Sequence, residues 1–98
     1  MKNKTVFKLI ATIPKGKVTT YKLLAQAAGI SNPRTVGQII HHNLHPEKYP
    51  CHRVVKSDGS LATGYAFGGA AAQKSKLTKE GMAFLNNRIN LKTFLFTP

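Results

Sequence analysis

Along residues 5–13, Thr-Val-Phe-Lys-Leu-Ile-Ala-Thr-Ile, apolar side chains fall at positions 6, 7, 9, 10 and 13. Steps of three and four place them along one side of a helix, so an amphipathic helix is predicted there. Pro14-Lys15-Gly16-Lys17 interrupts it. Thr19 or Thr20 then offers a side-chain oxygen to cap a second helix, Tyr21 to Ala28. Gly29 is placed to end that helix in a left-handed conformation. Ser31 or Asn32 caps a third helix with Pro33 in its first turn, running roughly from 33 to 42. Two helices joined by a short glycine-containing link predict a helix-turn-helix.

Beyond this the pattern changes. Residues 43–50 read as a loop. Val54-Val55-Lys56 and Ser60-Leu61-Ala62 flank Ser57-Asp58-Gly59, the signature of a β-hairpin. Residues 63–69 form a glycine-rich loop, and 70–80 read as a helix ending at Gly81. Ile89 and Leu91 alternate with polar residues before Phe94-Leu95-Phe96, which predicts a terminal strand. No internal repeat or linker stands out. The expected fold is mainly α with a small β-hairpin, a winged-helix-like helix-turn-helix domain occupying residues 1–98 as a single unit.

Composition narrows the class. Apolar residues make up 42% of the chain, enough for a core and too many for intrinsic disorder. No apolar run is long enough to span a membrane, and the basic start is followed by no apolar block of the signal-peptide kind. One cysteine excludes an internal disulfide framework. A cytoplasmic, reducing setting and a monomer are expected. The larger signal is charge: 15 Lys and Arg against 3 Asp and Glu, a formal net charge of +12. The lysines are spread from Lys2 to Lys92 rather than gathered in a tail. Such a field draws polyanions, nucleic acid ahead of an anionic membrane surface. The spacing of His41, His42 and His45 at a helix end is a poor metal-ligand pattern, so no metal is assigned.

Pro50-Cys51-His52-Arg53-Val54 carries the candidate chemistry. A thiol attacks as its thiolate; an adjacent imidazole can take the proton, and nearby cations lower the thiol pKa. Neighbouring side chains on an extended segment point to opposite faces, so Cys51 and His52 cooperate only through a bend or a bridging water. The plainer alternative is a small buried cysteine beside a structural histidine.

Pro-Cys-His-Arg-Val-Val, preceded by the helix-turn-helix and followed by Ser-Asp-Gly and a Gly-Tyr-x-x-Gly-Gly-like run, resembles the C-terminal domain of the O6-alkylguanine-DNA alkyltransferases, the methylated-DNA–protein-cysteine methyltransferases. The resemblance covers roughly residues 5 to 81. It implies a protein that binds double-stranded DNA, turns an O6-alkylguanine out of the stack and moves the alkyl group irreversibly to Cys51, with no cofactor. By the same resemblance His52 and Glu80 complete a carboxylate–imidazole–water–thiol relay, and Arg53 bonds loop carbonyls. Arg34, seventeen residues before Cys51, matches the arginine that fills the gap left by the everted base. A planar, permanently charged guanidinium both stacks and donates, which suits that place. Thr35, Gly37 and Gln38 join it on the DNA-facing helix. Tyr21 matches the tyrosine that crowds the target phosphate and donates to the guanine ring. Asn43 matches a hinge asparagine; Pro50, Val54, Tyr65, Ala66, Phe67 and Gly68 complete the expected pocket, with Gly68-Gly69 a tight turn behind it.

Several positions depart from the family. The family's N-terminal domain has no counterpart among these residues. Gln73 stands where a lysine is usual, the 64–69 loop is one residue longer, and Gln38-Ile39-Ile40 is bulkier than a helix entering the minor groove normally carries. The longer loop leaves Ala66 and Phe67 as alternative donors to the guanine oxygen. Two other functions fit parts of the pattern. One is an alkyltransferase-like protein that binds alkylated DNA without repairing it; such relatives usually carry tryptophan for the cysteine, and this chain has Cys51 and no tryptophan. The other is a helix-turn-helix regulator, which needs a dimer to read a palindrome and gives Pro-Cys-His-Arg no role.

Overall fold

A computed structural model describes residues 2–43, 45, 47–61 and 69–98. The first helix, α1, runs Lys2–Ala11 and buries Val6 and Ile10 on one face, with Ile13 following them inward just beyond its end. It begins earlier than the apolar pattern suggests. Its end tightens, Thr12 and Ile13 N–H donating to Leu9 and Ile10 three residues back, before Pro14. The helix α2 (Tyr21–Ala28) is capped by Thr20, whose Oγ1 accepts from Leu23 N–H at 3.1 Å. Gly29, at φ 73°, closes it, and Ile30 N–H reaches back to Ala25 at 2.8 Å. The helix α3 (Pro33–His41) starts with Asn32 Oδ1 accepting from Arg34 N–H at 3.0 Å. Of the cap residues left open by sequence, Thr20 and Asn32 do the work.

After a short strand β1 (Thr19–Thr20) comes its parallel partner β2 (Val54–Val55), in register Thr19 with Val54 and Thr20 with Val55. Successive strand residues face opposite ways. Val54 therefore enters a core with Val6, Ile10, Leu24, Val36, Ile39, Ile40 and Cys51. Val55 enters a second core with Val18, Leu77, Met82 and Ile89. Both valines are fully buried, each contributing about 1.5–3 kcal/mol of apolar transfer. This two-residue ladder joins the three-helix layer to the C-terminal layer, and the Cys51 segment is anchored at the seam.

The C-terminal layer holds α4 (Gly69–Lys79), β3 (Phe84–Leu85), β4 (Arg88–Ile89) and a single-turn α5 (Leu91–Phe94). Gly81, at φ 91°, ends α4, with Met82 N–H donating to Leu77 at 3.2 Å.

The class expected from sequence, a mainly helical helix-turn-helix domain, is the one observed, but the hairpin is a different one. The turn at 56–60 forms, with Lys56 N–H donating to Ser60 at 2.9 Å and Gly59 N–H to Lys56 at 2.8 Å. Its arms do not pair with each other as a ladder. Val54–Val55 joins β1, and Ser60 bridges Arg88 instead; Ala62 lies outside the described residues. The hairpin is β3–β4, whose turn residues Asn86 and Asn87 have φ of 53° and 60°. Asparagine tolerates this left-handed pair, which matches the twist of two-residue hairpins. The expected terminal strand is one bridge, Val18 to Leu95, because Asn90 caps α5 inside that stretch.

Candidate active site

Backbone hydrogen bonds shape the turn that carries the thiol. Residues Cys51–Arg53 form one turn of 3-10 helix, with Arg53 N–H donating to Pro50 at 3.0 Å and Val54 N–H to Cys51. That turn is the bend the sequence demanded if Cys51 and His52 are to cooperate. Asn43 holds its approach. The Asn43 Nδ2 donates to Tyr49 O at 2.8 Å, and its Oδ1 accepts from His45 N–H at 2.9 Å. Its own N–H reaches Ile40 on α3 at 2.9 Å. One buried asparagine thus ties the end of α3 to the loop that leads into Cys51.

The turn is held from behind by α4. Gln73, Leu77 and Glu80 recur at steps of four and three, so they share one face at the helix and its end. The His52 Nε2 lies 2.7 Å from Glu80 Oε2. Arg53 grips the same carboxylate twice, Nε to Oε1 and Nη2 to Oε2, both at 2.9 Å, and sends Nη1 to Ile13 O at 2.8 Å. Gln73, with no exposed surface, donates through Nε2 to His52 O and Val54 O, each at 2.9 Å.

These contacts set the ionisation. Burial pushes Glu80 upward, but the hydrogen bonds and charges of Arg53 and His52 outweigh it and hold the carboxyl at about 2. Burial lowers the His52 pKa, and the pull of Glu80 in the other direction does not reverse that. The imidazole is therefore neutral at neutral pH, its Nε2–H donating to a carboxylate. That leaves Nδ1 as the basic nitrogen. The Cys51 thiol is pushed up by burial, against the lowering effects of an Asn43 hydrogen bond and the Lys76 charge. The lowering by nearby cations that the sequence suggests is present, from Lys76, but desolvation outweighs it. Tyr21, at the start of α2, is raised to about 12 by burial and by its proximity to Cys51. It remains a phenol, a donor, across the physiological range.

Cys51, His52, Glu80, Tyr21, Asn43, Pro50 and Val54 thus gather around one turn. Cys51 is only 2% exposed and Pro50 is buried, so the sulfur lies beneath the surface. The α3 residues form a separate group. Val36, Ile39 and Ile40 face the core, while Arg34 and Gln38 are exposed and Thr35 and Gly37 half-buried. The bulky Ile39 and Ile40 therefore do not burden the outer face. A Cβ on Gly37 would lie 3.9 Å from the Tyr21 ring, so α3 passes beside that phenol. Tyr65, Ala66, Phe67 and Gly68 lie outside the described residues. A cavity of about 380 Å³ lined by Ser60, Leu61, Ala70, Ala71, Lys74 and Asn87 includes none of the expected site residues.

Sequence reasoning noticed Gln73 only as a departure and gave Arg53 carbonyls alone. The sign that Arg53 also grips Glu80 was available in principle, since a chain with three acids has few partners for a buried guanidinium.

Such a fold and site define a helix-turn-helix domain carrying a buried thiol beside a carboxylate-held imidazole. Residues 2–82 match the sequence profile of the 6-O-methylguanine DNA methyltransferase DNA binding domain, and the chain belongs to that family. It is 54% identical over 69 residues to a methylated-DNA–protein-cysteine methyltransferase of Pyrobaculum aerophilum, covering 70% of this chain and 45% of that protein. It is 35% identical to alkyltransferase-like protein 1 of Schizosaccharomyces pombe, covering 95% and 92%. Among solved structures it superposes on S. pombe Atl1 in complex with damaged DNA containing O6-carboxymethylguanine, with TM-score 0.86 and 34% identity over 99% of this chain and 95% of that one. The O6-methylguanine-DNA methyltransferase of Pyrococcus kodakaraensis gives TM-score 0.70 and 36% identity, over 81% and 45%. The chain thus spans less than half of these methyltransferases and nearly all of the alkyltransferase-like protein.

Proposed function

We propose that this protein binds double-stranded DNA, turns an O6-alkylguanine out of the stack and takes the alkyl group onto Cys51 once and irreversibly. The observation that carries the reading is the 2.7 Å contact between His52 and Glu80 on the turn that bears Cys51. A protonated, buried thiol needs a base, and His52 Nδ1 supplies one directly or through water. The thiol proton passes to His52, whose imidazolium Glu80 stabilises. The sulfur then forms a bond to the alkyl carbon as the bond from that carbon to guanine O6 breaks. The departing guanine takes up a proton, and the Tyr21 hydroxyl donates to the ring as negative charge grows on it. Carbonyls of the turn, Cys51 and Val54, accept from the exocyclic amine and so favour guanine. Eversion is required because the reacting carbon is unreachable inside a duplex. Arg34, exposed at the first turn of α3, fills the vacated stack.

A second reading, binding of alkylated DNA without transfer, is favoured by the sealed, hard-to-ionise sulfur and by the 92% coverage of the alkyltransferase-like relative. Intact mass after incubation with O6-methylguanine duplex separates the two. Transfer adds the mass of one CH2 to the wild type and nothing to Cys51→Ser; an unchanged wild-type mass with tight lesion binding selects the second reading. Equal affinity for lesion and plain duplex would leave a helix-turn-helix regulator.

A further inference from the structure

Gln73 is fully buried, and its one amide nitrogen donates to two carbonyls on either side of Arg53. Both hydrogens of a carboxamide are needed for this, and a buried carboxamide is costly unless satisfied. The two oxygens differ in consequence. His52 O fixes the reactive turn against α4. Val54 O is the acceptor assigned above to the exocyclic amine of guanine. A carbonyl oxygen accepts along two lone-pair directions. A donor held at 2.9 Å along one of them fixes the plane of that peptide and so the direction of the other.

We propose that Gln73 is a positioning residue for base selection: by holding the Val54 carbonyl it aims that oxygen at the 2-amino group of the everted base. This rests on the proposed function, and it extends that reading to a side chain outside the reacting set. Gln73 does not touch the base; it acts through Val54. Glu80, two turns further along the same helix, holds the ring of His52. One face of α4 and its end therefore hold both the base, His52, and the carbonyl assigned to the substrate.

The test compares affinities for two duplexes that differ by one group, O6-methylguanine and O6-methylhypoxanthine, which lacks the 2-amino group. Wild type should favour the guanine lesion by roughly threefold to tenfold, the worth of one net hydrogen bond. Gln73→Met, which keeps the volume and removes both donors, should bring that ratio close to one. Gln73→Leu, likewise without a donor, should do the same. Because the ratio compares two ligands on one preparation, a reduced folded fraction does not move it. A ratio preserved in either folded variant overturns the proposal, and so does a wild-type ratio of one. Should neither variant fold, Gln73→Lys decides: it retains donors and should keep the wild-type ratio, whose loss overturns the proposal. All affinities are measured in a Cys51→Ser background, where no transfer consumes the lesion, so the ratio is read at equilibrium whether or not the wild type transfers methyl. Absence of any lesion preference over plain duplex removes the proposed function and this inference together.

Discussion

Glu80 is one of three acids in the chain, and its two oxygens receive His52, both arms of Arg53 and, at 3.5 Å, the Gly16 N–H. Removing its charge should matter twice. The folded-state pKa of Glu80, about 2, lies below its ordinary 4.5, so its contribution to stability is complete above 4.5 and lost as pH falls toward 2. The His52 pKa is also lowered in the fold, so its contribution is complete above 6.5 and declines on acidification. Melting temperature should therefore fall in two steps as pH drops below 6.5. Glu80→Gln should flatten the lower step; a pH profile identical to wild type would show that the carboxylate is not held as described. The same variant should slow alkyl transfer by roughly a hundredfold, the lower end of what a placed general base supplies. The Cys51–His52–Glu80 set was legible because three residues of distinctive chemistry stood in a recognisable order. The ionisation of Cys51 was not legible: lysines and arginines can be counted along a chain, whereas desolvation exists only once the core has closed around the sulfur. Gln73 escaped for a related reason, since a glutamine on a helix carries no sign of which way it points.

At the scale of elements, helices were read well and strands poorly. Helix periodicity spans ten residues, and Thr20, Asn32 and Gly29 mark helix ends by local chemistry alone. The strands here are two residues long, too short for alternation to show, and β1 meets β2 across a separation that no local pattern encodes. The 56–60 turn was visible, but what its far arm would pair with was not. Gly59 explains part of the choice. It has φ 84°, and a Cβ there would strike the Ile89 carbonyl oxygen at the start of the Ser60–Arg88 bridge. Gly59→Ala should destabilise the fold by about 1–3 kcal/mol, read as a lower melting temperature; an unchanged value would mean that β4 yields freely. The helix α3 supports a second prediction. Its core side is filled by Val36, Ile39 and Ile40, which frees Arg34 to act on the outer side. Arg34→Ala should raise the barrier to transfer by roughly 1–3 kcal/mol, the value of one stacking contact, with little change in melting temperature. A rate equal to wild type would reduce Arg34 to a surface charge.

For the whole molecule, the net charge of +12 is set by which cations the three acids leave uncompensated. Glu80 is taken by Arg53 and His52, Asp58 lies 3.7 Å from Arg88 and accepts from Ser60, and Glu47 lies 3.8 Å from His45. Each acid is answered locally, so no acidic patch offsets the lysines of α1, α4 and the loops between them. A compact particle with a radius of gyration of 12.0 Å then presents positive potential in many directions. Duplex binding should therefore release counterions, and the logarithm of affinity should fall linearly with the logarithm of salt, at about 0.9 per phosphate neutralised. With Cys51→Ser, which cannot consume the lesion, plain and O6-methylguanine duplexes should give parallel lines, because phosphate contacts are shared and the everted base adds contacts that salt does not screen. The vertical gap between those lines then measures lesion recognition alone, and Gln73 and Arg34 variants should narrow the gap without changing the slope. A lesion line much steeper than the plain one would mean that selectivity resides in charge, contrary to a site whose acid is already committed and whose sulfur is buried.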